Sequence, residues 1–290
     1  MTQTPGIVDV HVHIQPWHLM HGGALAVMDK GRDEDKALIQ RCIQDPGALT
    51  AWLDQQGIAR VAIINYPAPD VMGFDPSVNE FVARYRDAHP DRFLAFGGIH
   101  PKLCRSADGD AEIRHALDVL RLDGIKVHPP HQLLAANDHV HGNLVLARLY
   151  ERCQERRVPV MIHTGTSIFP GARGKYGDPM DADDVAVDFP ELRIILAHCG
   201  RPLWSETTFH LLRRHPHVYG DVSGIPPHKL LEYFPRAAEV ADKLLFGTDW
   251  PSPGVRSIAA NVAAFRALPL PAPAQAAILW GNAAKLFPLR

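Results

Sequence analysis

The sequence predicts an α/β protein built as a closed (β/α)₈ barrel. Three observations carry that expectation. Eight short β-branched runs recur along the chain, each followed by a helical segment. The cores of these runs ("VAIIN", "VPVMIH", "RIILAH", "KLLFGT") are apolar, as strands covered on both faces are. An open doubly wound sheet would carry a glycine-rich phosphate loop after an early strand, and the chain has none.

The strands are expected at residues 7–13, 60–65, 93–99, 124–128, 158–163, 193–198, 218–222 and 243–249. Helices are expected between and after them. Residues 50–56 follow "DPGAL", a helix-start signal. Residues 76–88 follow Asp75 as N-cap, with proline at the first helical position. Residues 111–121, 143–156, 182–188, 203–214, 229–239, 255–267 and 274–280 complete the series. Two longer connections, 15–45 and 164–181, read as loops. Both leave the C-terminal ends of strands, the catalytic face of such a barrel, where long loops shape a pocket or lid. No linker or composition break divides the chain, so one barrel domain over residues 1–290 is expected.

Composition narrows the partners. With 46% hydrophobic and 21% charged residues the chain is globular rather than disordered. A net charge of −2 without a basic stripe argues against nucleic acid. No apolar run approaches a membrane span, and the N-terminus has no basic region followed by an apolar core, so the cytoplasm is the expected compartment. Cys42, Cys104, Cys153 and Cys199 form no CxxC pair, which suggests neither a disulfide framework nor a zinc knuckle. A homodimer is a base-rate expectation.

The first strand, "IVDVHVHI", holds two histidines one residue apart. Alternation puts His11 and His13 on one side, together with Asp9. Buried imidazoles need partners, and two on one strand face can converge on an ion. Other strand ends repeat the pattern of a polar residue where an apolar run stops before a glycine or proline turn: Lys126 in "GIKVHPP", His163 in "VMIHTG", His198 in "ILAHCG" and Asp249 in "LFGTDWP". In a barrel these ends ring one mouth. Imidazole and carboxylate suit a divalent cation, Zn²⁺ first, with Mn²⁺ and Fe²⁺ as the other candidates. Asp249 can accept a proton from water beside such an ion, and His198 can assist proton transfer or hold an oxyanion.

The set "DVHVH", "GIKVHP", "VMIHTG", "ILAHCGRP" and "LLFGTDWP" resembles the amidohydrolase superfamily, in its aminocarboxymuconate-semialdehyde decarboxylase-like branch, also called amidohydrolase 2. The likeness runs from Ile7 to about Phe287. It implies a (β/α)₈ barrel with one or two divalent metals. It also implies His11, His13, His163 and Asp249 as ligands and His198 as base or second-metal ligand. Lys126 stays open between a carbamylated bridging ligand, an ammonium that binds a substrate carboxylate, and a structural ion-pair partner.

Further residues read less sharply. His128 and His100 are candidates for the mouth, each weighed against a structural role. Arg173, Arg201 and Trp204, in the connections after strands five and six, are substrate-binding candidates; arginines at a pocket rim suit carboxylates. Lys175 reads as a solvated charge, Cys199 as packing, and His131, His139 and His141 as surface residues. Trp250 either walls the pocket or packs.

Three functions are compatible with these residues. The first is a metal-dependent hydrolase acting on an amide, ester or lactone of a small molecule, with or without a carboxylate. The second is a metal-dependent non-oxidative decarboxylase of an aromatic or unsaturated acid. The third is a catalytically silent metal-binding barrel, which would be expected to have lost part of the ligand set.

Overall fold

A computed structural model describes residues 6–102 and 106–288; Cys104 lies outside them. Eight strands form one parallel sheet in sequential order: β1 (Ile7–Val12), β2 (Ile58–Ile64), β3 (Phe93–Gly97), β4 (Gly124–Val127), β5 (Val160–His163), β6 (Ile194–Ala197), β7 (Val218–Asp221) and β8 (Leu244–Leu245). Every adjacent pair is parallel. The last and first strands meet through Val10 N–H to Phe246 O (2.9 Å), Asp249 N–H to His11 O (2.8 Å) and His13 N–H to Trp250 O (2.7 Å). The expected barrel is therefore the observed one.

β8 ends well before residue 249. Gly247 brings the chain so close to β7 that a β-carbon there would lie 2.4 Å from Asp221 Oδ1, and Asp249 adopts φ 70°. The backbone leaves the ladder to aim Asp249 into the mouth.

The helices follow their local signals. Helix Pro46–Gln55 begins four residues before the expected 50–56, because Asp45 caps it: its carboxylate accepts from Gly47 N–H at 2.8 Å, and Pro46 takes the first helical position. Helix Leu144–Arg156 starts on Asn143, and Ile258–Arg266 on Ser257. Helix Val78–Ala88 begins two residues later than expected; Asp75 instead closes a turn on Ser77 N–H. The expected loop 15–45 contains helices Gly22–Asp29 and Lys36–Gln44, whose buried Ala24, Met28, Ile39, Cys42 and Ile43 pack on the barrel. The expected loop 164–181 is irregular apart from the short turn Gly174–Gly177. No helix among the described residues is long and apolar enough to cross a membrane.

Candidate metal centre

The strand tips meet at the C-terminal end of the barrel. His11 Nδ1 lies 2.5 Å from Asp221 Oδ2, and His13 Nδ1 lies 3.2 Å from the Ile64 carbonyl. His198 Nδ1 lies 3.0 Å from the Ser223 carbonyl. Carbonyls only accept and carboxylates do so when ionised, so these partners assign the proton of each ring to Nδ1. Each Nε2 then offers a lone pair. His11 Nε2 and His13 Nε2 sit 3.2 Å apart, and Asp249 Oδ1 lies 3.0 Å from the latter and 3.6 Å from the former.

Lone pairs at that separation need a positive species between them. A proton satisfies the His13–Asp249 contact, but it leaves Nε2 of His163 buried without a hydrogen-bond partner. His11, His198 and Asp249 each present a ligand atom within 4.8 Å of the others. The His163 ring lies 4.7 Å from that of His198. Nitrogen and carboxylate donors so arranged fit a borderline divalent cation. Burial holds His11, His163 and His198 well below the ordinary imidazole range, with the nearby Lys126 and Arg201 charges adding to it, so they stay neutral as ligands must.

Two ligand candidates sit on backbone that side chains seldom adopt: His198 has φ 65° and Asp249 φ 70°. A left-handed residue costs about 1 kcal/mol, and such outliers cluster where a site needs a side chain held at a set angle. Asp9, on the same strand side as His11, turns away from the mouth. Its carboxylate accepts from His11 N–H and Thr248 N–H, both at 3.0 Å, and from Thr248 Oγ at 2.6 Å, clasping β1 to the segment that carries Asp249.

Above the cluster lies a cavity of about 300 Å³ lined by His13, Lys126, His128, His163, His198, Arg201 and Asp249, among others. Lys126 is fully buried, and its Nζ has no hydrogen-bond partner among the described residues. Burial pulls its pKa down, and Asp221 and Asp249 oppose that pull. Arg201 is anchored by Nη1–H to Thr166 O (3.3 Å) and packs on Gly224. A β-carbon at Gly224 would stand 2.6 Å from the guanidinium, and its φ of 65° also demands glycine.

Several expectations need correction. Arg173 is exposed and outside the cavity lining; its backbone N–H binds Pro130 O, which leaves its side chain to solvent. Trp204 also stands outside the lining. The left-handed turn at residues 198–200 carries it away from the mouth, where its N–H closes onto Gly200 O before helix Ser205–Arg214. His131 is buried and lines the cavity, because helix Pro129–Gln132 folds back into the mouth. His139 is half-buried, its ring packed on Tyr150 and Phe189 and paired with Asp188. His141 and Lys175 are exposed, as expected.

The open readings of His128, His100, Trp250 and Cys199 resolve geometrically. His128 faces the cavity and stacks on His163 at 3.8 Å. His100 is buried and absent from the cavity lining. Trp250 packs, stacked on Trp52 at 4.1 Å, and Cys199 is buried against Asp221 O. Asp221 and Ser223 were absent from the expected site. Their signal, "VYGDVSG", matches the other strand tips: an apolar strand stopping at a polar residue before glycine.

The chain belongs to the amidohydrolase family (Amidohydro_2), whose profile matches residues 8–289. Solved structures share the barrel at low identity. An uncharacterized TIM-barrel protein from Bordetella bronchiseptica is 22% identical with a TM-score of 0.75, over 97% of each chain. 5-Carboxyvanillate decarboxylase from Sphingomonas paucimobilis is 20% identical with a TM-score of 0.66, over 98% of this chain and 99% of its own. 4-Oxalomesaconate hydratase from Rhodopseudomonas palustris is 18% identical with a TM-score of 0.63, over 97% and 95%. No curated protein matches the chain. The chain is thus an amidohydrolase-family metal-dependent enzyme by membership.

Proposed function

We propose that the protein is a hydrolase of a small, carboxylate-bearing amide, ester or lactone. The observation that carries this reading is the placement of Asp249, its carboxylate touching the imidazole cluster on one side and the cavity on the other. His11, His13, His163 and Asp249 would hold a divalent ion, Zn²⁺ first, with His198 beside them. When bound, the ion would polarise a substrate oxygen and lower the pKa of water.

The chain's own residues supply the rest. Asp249 takes a proton as water oxygen bonds to the carbonyl carbon, then returns it to the departing nitrogen or oxygen. His198, with Nδ1–H tied to Ser223 O, presents an acceptor and so suits a base or ligand better than an oxyanion donor. Lys126, fully buried, and Arg201, half-buried, both at the cavity wall, attract a substrate carboxylate. The cavity of about 300 Å³ supports a small-molecule partner.

Replacing Asp249 by Asn should cut turnover about 100-fold or more while circular dichroism stays native. Near-normal turnover in that variant would remove Asp249 from the chemistry.

A second reading, non-oxidative decarboxylation of an aromatic or unsaturated acid, is favoured by the ring-built wall. Tyr66, His128 and His131 stack in sequence there, with centroids 4.8 Å and 3.6 Å apart. CO₂ release from trial acids, against proton release from trial esters and lactones, separates the two.

A further inference from the structure

We infer that Tyr66, His131 and Ser167 form a one-way hydrogen-bond relay that presents the Ser167 hydroxyl as a fixed donor to a substrate oxygen. The inference deepens the proposed function by naming a specificity-determining group; it rests on that reading only in taking this cavity as the substrate site.

The three residues come from separate segments and all line the cavity. Tyr66 follows β2, His131 sits in the helix after β4, and Ser167 lies in the connection after β5. Tyr66 Oη is 2.9 Å from His131 Nδ1, and His131 Nε2 is 2.7 Å from Ser167 Oγ. On its face this could be a serine nucleophile with a histidine base. The direction of the protons decides otherwise.

Tyr66 is 2% exposed, and its hydroxyl makes no other hydrogen bond among the described residues. If it accepted from His131 Nδ1–H, its own proton would have no acceptor among the described residues, at a cost of about 1–3 kcal/mol for a buried donor. It therefore donates, and burial keeps that proton on by raising the phenol well above its ordinary value. His131, held neutral by burial, has one proton to place. With Nδ1 accepting, Nε2 carries the hydrogen and donates to Ser167 Oγ.

Ser167 Oγ also receives Phe169 N–H in a long contact of 3.4 Å. Both its lone pairs are then engaged, and what it has left is its hydrogen. A serine in that state cannot be deprotonated by its histidine. It can donate into the cavity, beside Arg201, whose guanidinium is tied to the neighbouring Thr166 carbonyl. Donor hydroxyl and guanidinium together match the two oxygens of a carboxylate.

Two measurements test this on the full-length, metal-loaded protein. The first is the imidazole tautomer of His131, read from two-bond ¹⁵N–¹H correlations on ¹⁵N-histidine protein and assigned with His131→Gln. A proton on Nε2 is expected; a proton on Nδ1 reverses the relay and overturns the proposal. The second is calorimetric titration with isophthalate as the carboxylate probe. Ser167→Ala and Tyr66→Phe should each weaken binding about 10-fold, and the double variant no more than either alone, since Tyr66 acts through His131. Unchanged affinity in Ser167→Ala, additive losses, or no isophthalate binding by the parent protein would overturn it. Neither readout requires hydrolysis, so failure of the hydrolase reading leaves a separate trace.

Discussion

At the scale of single residues, the centre depends on side chains that stand behind the ligand candidates. Asp221 orients His11 through Nδ1 and is itself held by Ser223, whose N–H and Oγ reach its two oxygens at 2.8 Å and 2.9 Å. A carboxylate behind a ligating imidazole fixes its tautomer and raises its basicity. Asp221→Asn should therefore lower metal affinity about 10- to 100-fold, measured by competition with a chromophoric chelator. Unaltered affinity would assign Asp221 to packing alone. His11 and His13 were legible in the sequence because alternation on a strand is a local property. Asp221 carried the same strand-tip signal; what the sequence lacked was its pairing with a residue 210 positions away.

At the scale of elements, helix Asp181–Asp188 carries three acidic residues in its first turn. Burial, reinforced by Asp178, Asp184 and Asp138, pushes the Asp181 carboxyl up to about 6. The unfolded chain releases this proton near the ordinary value of 3.8, the folded one near 6. The folded state therefore binds the extra proton between those values, and stability falls as pH rises through them. Asp181→Asn should remove that loss, raising stability at pH 8 by on the order of 1 kcal/mol after solvent screening and leaving it unchanged at pH 3.5. Urea midpoints at the two pH values check this; an equal change at both would mean packing rather than ionisation. The same scale separates readable from unreadable elements. Helix starts at Asp45 and Asn143 were local signals, whereas the early end of β8 follows from Gly247 lying against Asp221, a contact across strands.

At the scale of the molecule, the barrel brings eight strand tips to one face, and a cation bound there would couple to the whole fold. An ion that binds only the folded chain stabilises it by about 4 kcal/mol at a thousandfold excess over its Kd. Adding Zn²⁺ to chelator-treated protein should raise the thermal midpoint by several degrees, with Mn²⁺ smaller, following the usual affinity order. A midpoint indifferent to both ions, in protein that still binds them, would place the site off the cooperative fold.

The amino-acid order by itself determined the eight strands, the barrel and the ring of His11, His13, Lys126, His163, His198 and Asp249. Each of these rests on a pattern within a few residues: an apolar run, its alternation, and the polar residue at its end. Only the tertiary structure decided that Arg173 and Trp204 leave the mouth, that His131 enters it, and that Tyr66 and Ser167 join it there. Which side chains meet across strands depends on register, barrel closure and the angle at which each connection leaves its strand. Those are set by packing between segments far apart in the chain, and no short window of residues contains them.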